Sequence, residues 1–151
     1  MNFAGHVSLG CVSWLGYTAL INDSFEAVVS AQTLVLMPVA IFGALLPDID
    51  HPNSTFGRRI RPVSTVLSWF SHRGITHSIW AIAGSLYVLS AFDLSMLWIH
   101  ALTIGYVSHL LGDSITPAGI KPFWPVPYRF YINPYIAIPL VVVLALIFQG
   151  A

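Results

Sequence analysis

A chain of 151 residues is long enough for one domain. With 56% hydrophobic and 8% charged residues, and a mean hydropathy of +0.77, it lacks the polar surface of a soluble globule, in which about a quarter of residues are charged. Six basic and six acidic residues cancel, which leaves no basic face for a nucleic-acid partner, and the single Cys11 excludes an internal disulfide. The exterior is therefore expected to face lipid, and the fold class to be all-α: a polytopic helix bundle in a single membrane-embedded domain, 1–151. No removable signal peptide is expected, since the N-terminal stretch has no Lys or Arg and its apolar run outlasts an h-region.

Taken in chain order, apolar stretches of about the 20 residues that a crossing needs fall near 3–21, 28–46 and 131–149. The stretch 78–111 would run about 51 Å as one helix, well beyond a hydrocarbon core of about 30 Å. It is expected to fold back at Asp93, which can cap the following helix, giving two short spans near 75–91 and 94–111. Between the second and third spans, Val63, Val66, Leu67 and Phe70 recur at helical spacing behind Pro62, which predicts a short interfacial helix over 62–71. The segment 116–134 is rich in Pro and aromatics and reads as an extended piece at headgroup depth, and Pro134 and Pro139 shorten or kink the last span.

With about five crossings, Arg58, Arg59, Arg61, Arg73, Lys121 and Arg129 all fall on the side that holds the N-terminus. The positive-inside rule makes that side the cytoplasm. The same side collects His6, the string Pro47-Asp48-Ile49-Asp50-His51-Pro52, the string Ser71-His72-Arg73-Gly74-Ile75-Thr76-His77-Ser78, and His109 with Asp113 one turn later. Each piece alone is a weak signal; a helix stop capped by polar residues explains any one of them. Carboxylates at helix C-termini, however, meet the negative end of the macrodipole, and a divalent cation turns that repulsion into ligation. Imidazoles and carboxylates without thiolate suit Zn, Mn or Fe better than Ca. His100, nine residues before His109, points the opposite way and is read as a structural histidine; Cys11 is read as packing, and Arg58, Arg59 and Arg61 as anchors near anionic lipid.

These strings, with Gly5-His6, Gly57-Arg58-Arg59, Gly105-Tyr106-Val107-Ser108-His109-Leu110-Leu111-Gly112-Asp113 and Thr116-Pro117-Ala118-Gly119, resemble the YdjM family in order from about residue 2 to about residue 130. That family comprises bacterial inner-membrane proteins described as membrane-bound metal-dependent hydrolases, some of them under LexA control. The resemblance implies His6, Asp48, Asp50, His72, His77, His109 and Asp113 as metal-site candidates. A more distant similarity in style to zinc-dependent phospholipase C rests on an early His, an Asp and an H-x-x-x-D helix. Seven candidate ligands exceed one tetrahedral site, so more than one ion is expected.

In the enzyme reading, the metal activates water against a phosphoryl or acyl group. One of Asp48 and Asp50 ligates while the other, or His51, takes a proton, and Arg73 holds a phosphate oxygen. A site at headgroup depth points to a membrane lipid or lipid-linked substrate, with the oligomeric state left open. The rivals are a transporter of metal ions or protons, and a metal-stabilised structural protein.

Overall fold

The computed structural model describes residues 1–69 and 73–139. Its described residues are mainly helical, with α1 (Phe3–Asn22), α2 (Ala31–Leu45), α3 (Arg61–Ser68), α4 (Ile79–Ser90) and α5 (Met96–Ser114) complete within them. Among the described residues there is no strand, only an isolated antiparallel bridge between Ile120 and Phe130. Local chemistry sets the helix ends. The Asn2 side chain accepts from Gly5 N at 2.8 Å to start α1, and Ser30 Oγ accepts from Thr33 N at 3.2 Å to start α2. After Leu45 the chain tightens into a 3₁₀ turn, Pro47–Asp50, and Pro47 withholds the N–H that a continuing α-helix would use.

The centre is α1, α2 and α5, brought close by small residues. A side chain at Gly105 would start 1.9 Å from the carbonyl oxygen of Ala40, one at Gly43 2.2 Å from that of Leu102, and one at Gly10 2.8 Å from the Ala44 methyl. Trp14, Leu36, Ala40 and Ala101 fill one end of this core, and Tyr106, Leu110 and Ile120 the other. The usual partition is inverted: His6, Asp50, His77, His109 and Asp113 are buried, while Val12, Leu20, Val35, Trp80, Tyr87 and Val88 are more than half exposed.

Several expectations need adjusting. The stretch Ala31–Asp50 is, among the described residues, the one helical run both long and apolar enough to cross a membrane. The helices α1 and α5 have 20 and 19 residues, but His6 and Thr18, or His109 and Asp113, on their inward faces lower their hydropathy. At 12 residues, α4 rises only about 18 Å, so the expected span at 75–91 is not met by that helix alone. Asp93 does not cap α5: Ser95 holds the N-cap position without a side-chain bond, and Asp93 lies in the turn before it. The predicted interfacial helix forms over Arg61–Ser68 and leaves Val63 and Val66 about half exposed; Phe70 lies outside the described residues. The 116–134 segment, expected to be extended, is a succession of turns, closed by Gly119 N to Thr116 O, Trp124 N to Lys121 O and Val126 N to Phe123 O, and it docks on the end of α5 through Ile132 N to Ser114 O and on the start of α4 through Ile79 N to Pro122 O. Residues 134–139 begin a helix, and the rest of the predicted last span lies outside the described residues.

Candidate metal centre

Four separate elements deliver polar side chains to one end of the bundle. The first turns of α1 supply His6, the turn Pro47–Asp50 supplies Asp48 and Asp50, the 3₁₀ turn Ile75–His77 supplies Thr76 and His77, and the last turns of α5 supply His109 and Asp113. Two trios bring their ligand atoms within 4.8 Å of one another: His6, Asp48 and His109, and His77, His109 and Asp113.

Hydrogen-bond direction fixes which imidazole nitrogen faces the centre. His109 Nδ1 lies 2.7 Å from the Ala44 carbonyl oxygen, which can only accept, so Nδ1 carries the proton and Nε2 the lone pair. The Thr76 hydroxyl donates its one proton to the Asp50 carboxylate, so towards His77 Nδ1, 3.0 Å away, it can only accept. His77 is thereby also an Nδ1–H tautomer. Its Nε2 faces His109 Nε2 at 3.2 Å. Two lone pairs so placed repel each other unless a cation lies between them.

A shared proton would serve those two atoms alone, whereas more donors crowd the same point. Asp113 Oδ2 lies 3.5 Å from His77 Nε2 and 3.8 Å from His109 Nε2, and Asp48 Oδ1 lies 3.8 Å from His109 Nε2. His6 stacks on His109 with ring centroids 3.7 Å apart, and neither of its buried nitrogens makes a hydrogen bond of acceptable geometry; its Nε2 is 3.4 Å from Asp113 Oδ1. An orphaned buried imidazole costs about 1–3 kcal/mol. Metal–nitrogen bonds of about 2.0–2.1 Å put tetrahedral ligands roughly 3.3 Å apart, close to these separations. The donor set therefore fits a small divalent ion and lacks the six to eight oxygens that calcium takes. Because Nδ1 of His109 is spent on Ala44, its Nε2 can serve one ion only, so the two trios, which share His109, cannot both use it at once.

Asp113 is the electrostatic hub. It also accepts from the Met1 ammonium at 2.5 Å and from the Arg73 guanidinium at 2.9 Å. Arg73, with a left-handed backbone at φ 60°, donates its N–H to Asp50 Oδ2 at 3.2 Å and its side chain to Thr116 Oγ1 and the Gly119 carbonyl. It straps the two carboxylates and the returning segment together, where sequence reasoning assigned it to a phosphate oxygen. A cavity of about 340 Å³ opens beside the centre, lined by Asp48, His51, Arg73 and Asp113 among its polar residues and by Met1, Phe3, Leu45 and Phe56 among its apolar ones.

Of the seven expected ligands, His6, Asp48, His77, His109 and Asp113 converge. Asp50 stands behind His77, 3.5 Å from its Nδ1 and 1% exposed, and His72 lies outside the described residues. Asp48 is among the residues that line the cavity and Asp50 is not. Sequence reasoning missed Thr76, although it sits inside the string that drew attention to His77. It also missed the Ala44 carbonyl, for which no side-chain signal exists. His100 bonds to Tyr17 Oη at 2.7 Å, as a structural histidine should.

The chain is 39% identical over 104 residues to the inner membrane protein YdjM of Escherichia coli, covering 63% of this chain and 52% of that protein, and equally to YdjM of Shigella flexneri. It is 36% identical over 94 residues to the uncharacterized protein YvsG of Bacillus subtilis, covering 62% of this chain and 59% of the other. The matches thus span little more than half the length of these relatives, and no solved structure matches. The match to the family described as the YdjM inner membrane protein runs over residues 1–150, and the chain belongs to that family.

Proposed function

We propose that this chain is a multi-pass protein of the bacterial inner membrane that hydrolyses a phosphoester or related ester bond in a lipid or lipid-linked substrate at the cytoplasmic face. The observation that carries the reading is the pair of Nε2 atoms of His77 and His109, set face to face beside Asp113 and Asp48, two carboxylates that also line a largely polar cavity. His77, His109 and Asp113, with Asp48 and His6 beside them, would hold one divalent ion, zinc by preference and manganese or iron as alternatives. Such an ion supplies Lewis acidity and makes water a better nucleophile at neutral pH. Asp48 and His51, on the cavity wall, are the residues placed to accept a proton. Asp50 does not line the cavity, and its part is to support His77. Arg73 keeps Asp113 in place and is itself among the residues lining the cavity, where an N–H not taken by Asp113, Thr116 or Gly119 would pair an anionic oxygen.

The membrane reading is supported by the apolar exterior around a polar interior, by the names of the curated relatives, and by the helix α3, whose exposed Val63 and Val66 adjoin the exposed Arg58, Arg59 and Arg61. Five crossings put every basic residue on the side of the centre. Reporter fusions after residue 60 and at residue 151 should then give opposite signals, and equal signals would remove the five-crossing topology. Transport is the weaker alternative. Between the centre and His100, α1, α2 and α5 touch through Gly10, Ala40, Ala44 and Gly105, which leaves no room for a wet path.

The test is elemental analysis of detergent-purified protein, joined to a hydrolysis screen on vesicles of phospholipids and lipid-linked pyrophosphates with and without chelator. Stoichiometric metal and chelator-sensitive release of a phosphate or ester product are expected. Stoichiometric metal without any turnover would leave a metal-stabilised structural protein, and no metal at all would sink the reading.

A further inference from the structure

We propose that Thr76 is a positioning residue that passes the orientation of Asp50 on to His77, so that a hydroxyl relay, rather than a direct carboxylate contact, sets the imidazole tautomer presented to the metal centre. The proposal rests on the metal reading above for its consequence, but its geometry stands in the protein's own side chains. A carboxylate oxygen accepts, so the short contact between Thr76 Oγ1 and Asp50 Oδ2 has the hydroxyl as donor. With its one proton committed, Thr76 Oγ1 offers only lone pairs to His77 Nδ1 at 3.0 Å, nearer than the 3.5 Å that separates that nitrogen from Asp50 itself. The relay therefore runs one way, from His77 Nδ1–H to Thr76 Oγ1 and from Thr76 Oγ1–H to Asp50.

The elements around the relay hold it in register. The 3₁₀ turn Ile75–His77 places the hydroxyl and the ring side by side, Tyr106 Oη donates to the Thr76 carbonyl at 2.5 Å, and Arg73 N–H fixes the accepting Asp50 oxygen at 3.2 Å. Thr76 is 8% exposed and His77 and Asp50 less than 2%, so bulk water has no access to take the place of a missing hydroxyl. His109 reaches the same tautomer by a different route, through the Ala44 carbonyl, and so provides an internal reference.

The test is the ¹⁵N signature of the histidine rings in full-length, detergent-solubilised protein at pH 8, with and without zinc, alongside zinc affinity by competition with a chelator. Wild type should show Nδ1–H for both His77 and His109. Thr76→Val should move His77 towards the Nε2–H form, leave His109 unchanged and weaken zinc binding by about 10- to 100-fold, the usual effect of losing an outer hydrogen-bond partner. Thr76→Ser, which keeps the hydroxyl, should restore both. An Nε2–H signal for His77 in the wild type overturns the proposal without any variant, as does a Thr76→Val protein with unchanged tautomer and zinc affinity. If wild type binds no zinc, the metal reading fails, and the ring signals of the metal-free protein still decide the relay.

Discussion

Among the described residues the bundle carries a polar cluster at each end, and the two differ in burial and in the residues that compose them. At one end Tyr17 Oη meets His100 Nδ1 at 2.7 Å, Trp14 Nε1 donates to the Thr33 carbonyl at 2.9 Å, and Thr33 Oγ1 donates to the Ala27 carbonyl at 2.7 Å. At the other end His6 makes no hydrogen bond of acceptable geometry, and the Nε2 atoms of His77 and His109 face each other at 3.2 Å. A histidine inside the bundle does not by itself mark a functional site: His100 is partly buried and bonded to Tyr17, whereas His6, His77 and His109 are fully buried. Both ends also open on a cavity, and what separates them is the lining: Asp48, His51, Arg73 and Asp113 at one, and Trp14, Tyr17 and Thr33, with no charged side chain, at the other.

The sharpest way to break the comparison is to remove one histidine from each end. His109→Ala deletes the nitrogen common to both trios and should lower zinc affinity by on the order of 10²-fold or more, whereas His100→Ala should leave zinc affinity unchanged. Chelator competition on the purified variants measures both, and equal losses would erase the distinction between the two ends. Next in size is the close packing that separates them. Gly105→Ala sets a methyl against the Ala40 carbonyl and should destabilise the bundle by about 1–3 kcal/mol, read as a lower denaturation midpoint in a fixed detergent; an unchanged midpoint would mean that the helices part there at no cost.

The strap at the metal end comes third. Arg73→Ala should weaken zinc binding about tenfold by loosening Asp113 and Asp50, and Arg73→Lys should not rescue it, because an ammonium cannot reproduce the planar fork. Full affinity in Arg73→Lys would reduce the strap to a point charge. The smallest effect is expected at the His100 end, where Tyr17→Phe removes one hydrogen bond and should cost about 1 kcal/mol of stability with no change in zinc binding.

Much of this was legible in the residues. Pro47 announced the end of α2 and Pro62 the start of the short helix that follows, because each removes a backbone donor and fixes φ wherever it occurs. The i, i+4 spacing of His109 and Asp113 placed both on one face of α5. Asp93 misled, because a capping residue works only if the helix begins beside it, and tertiary packing starts α5 at Met96 instead.

By itself, then, the sequence determined the membrane-like composition, the helices and the end of the bundle at which histidines and carboxylates gather, since these follow from apolar area, local backbone chemistry and periodicity. Only the tertiary structure decided that Asp48 lines the cavity while Asp50 backs His77, that Thr76 bonds to both Asp50 and His77, and that the Ala44 carbonyl orients His109. Those outcomes depend on the direction of hydrogen bonds between atoms 26 and 65 residues apart, and a donor acquires its acceptor only when packing has excluded water and every other partner.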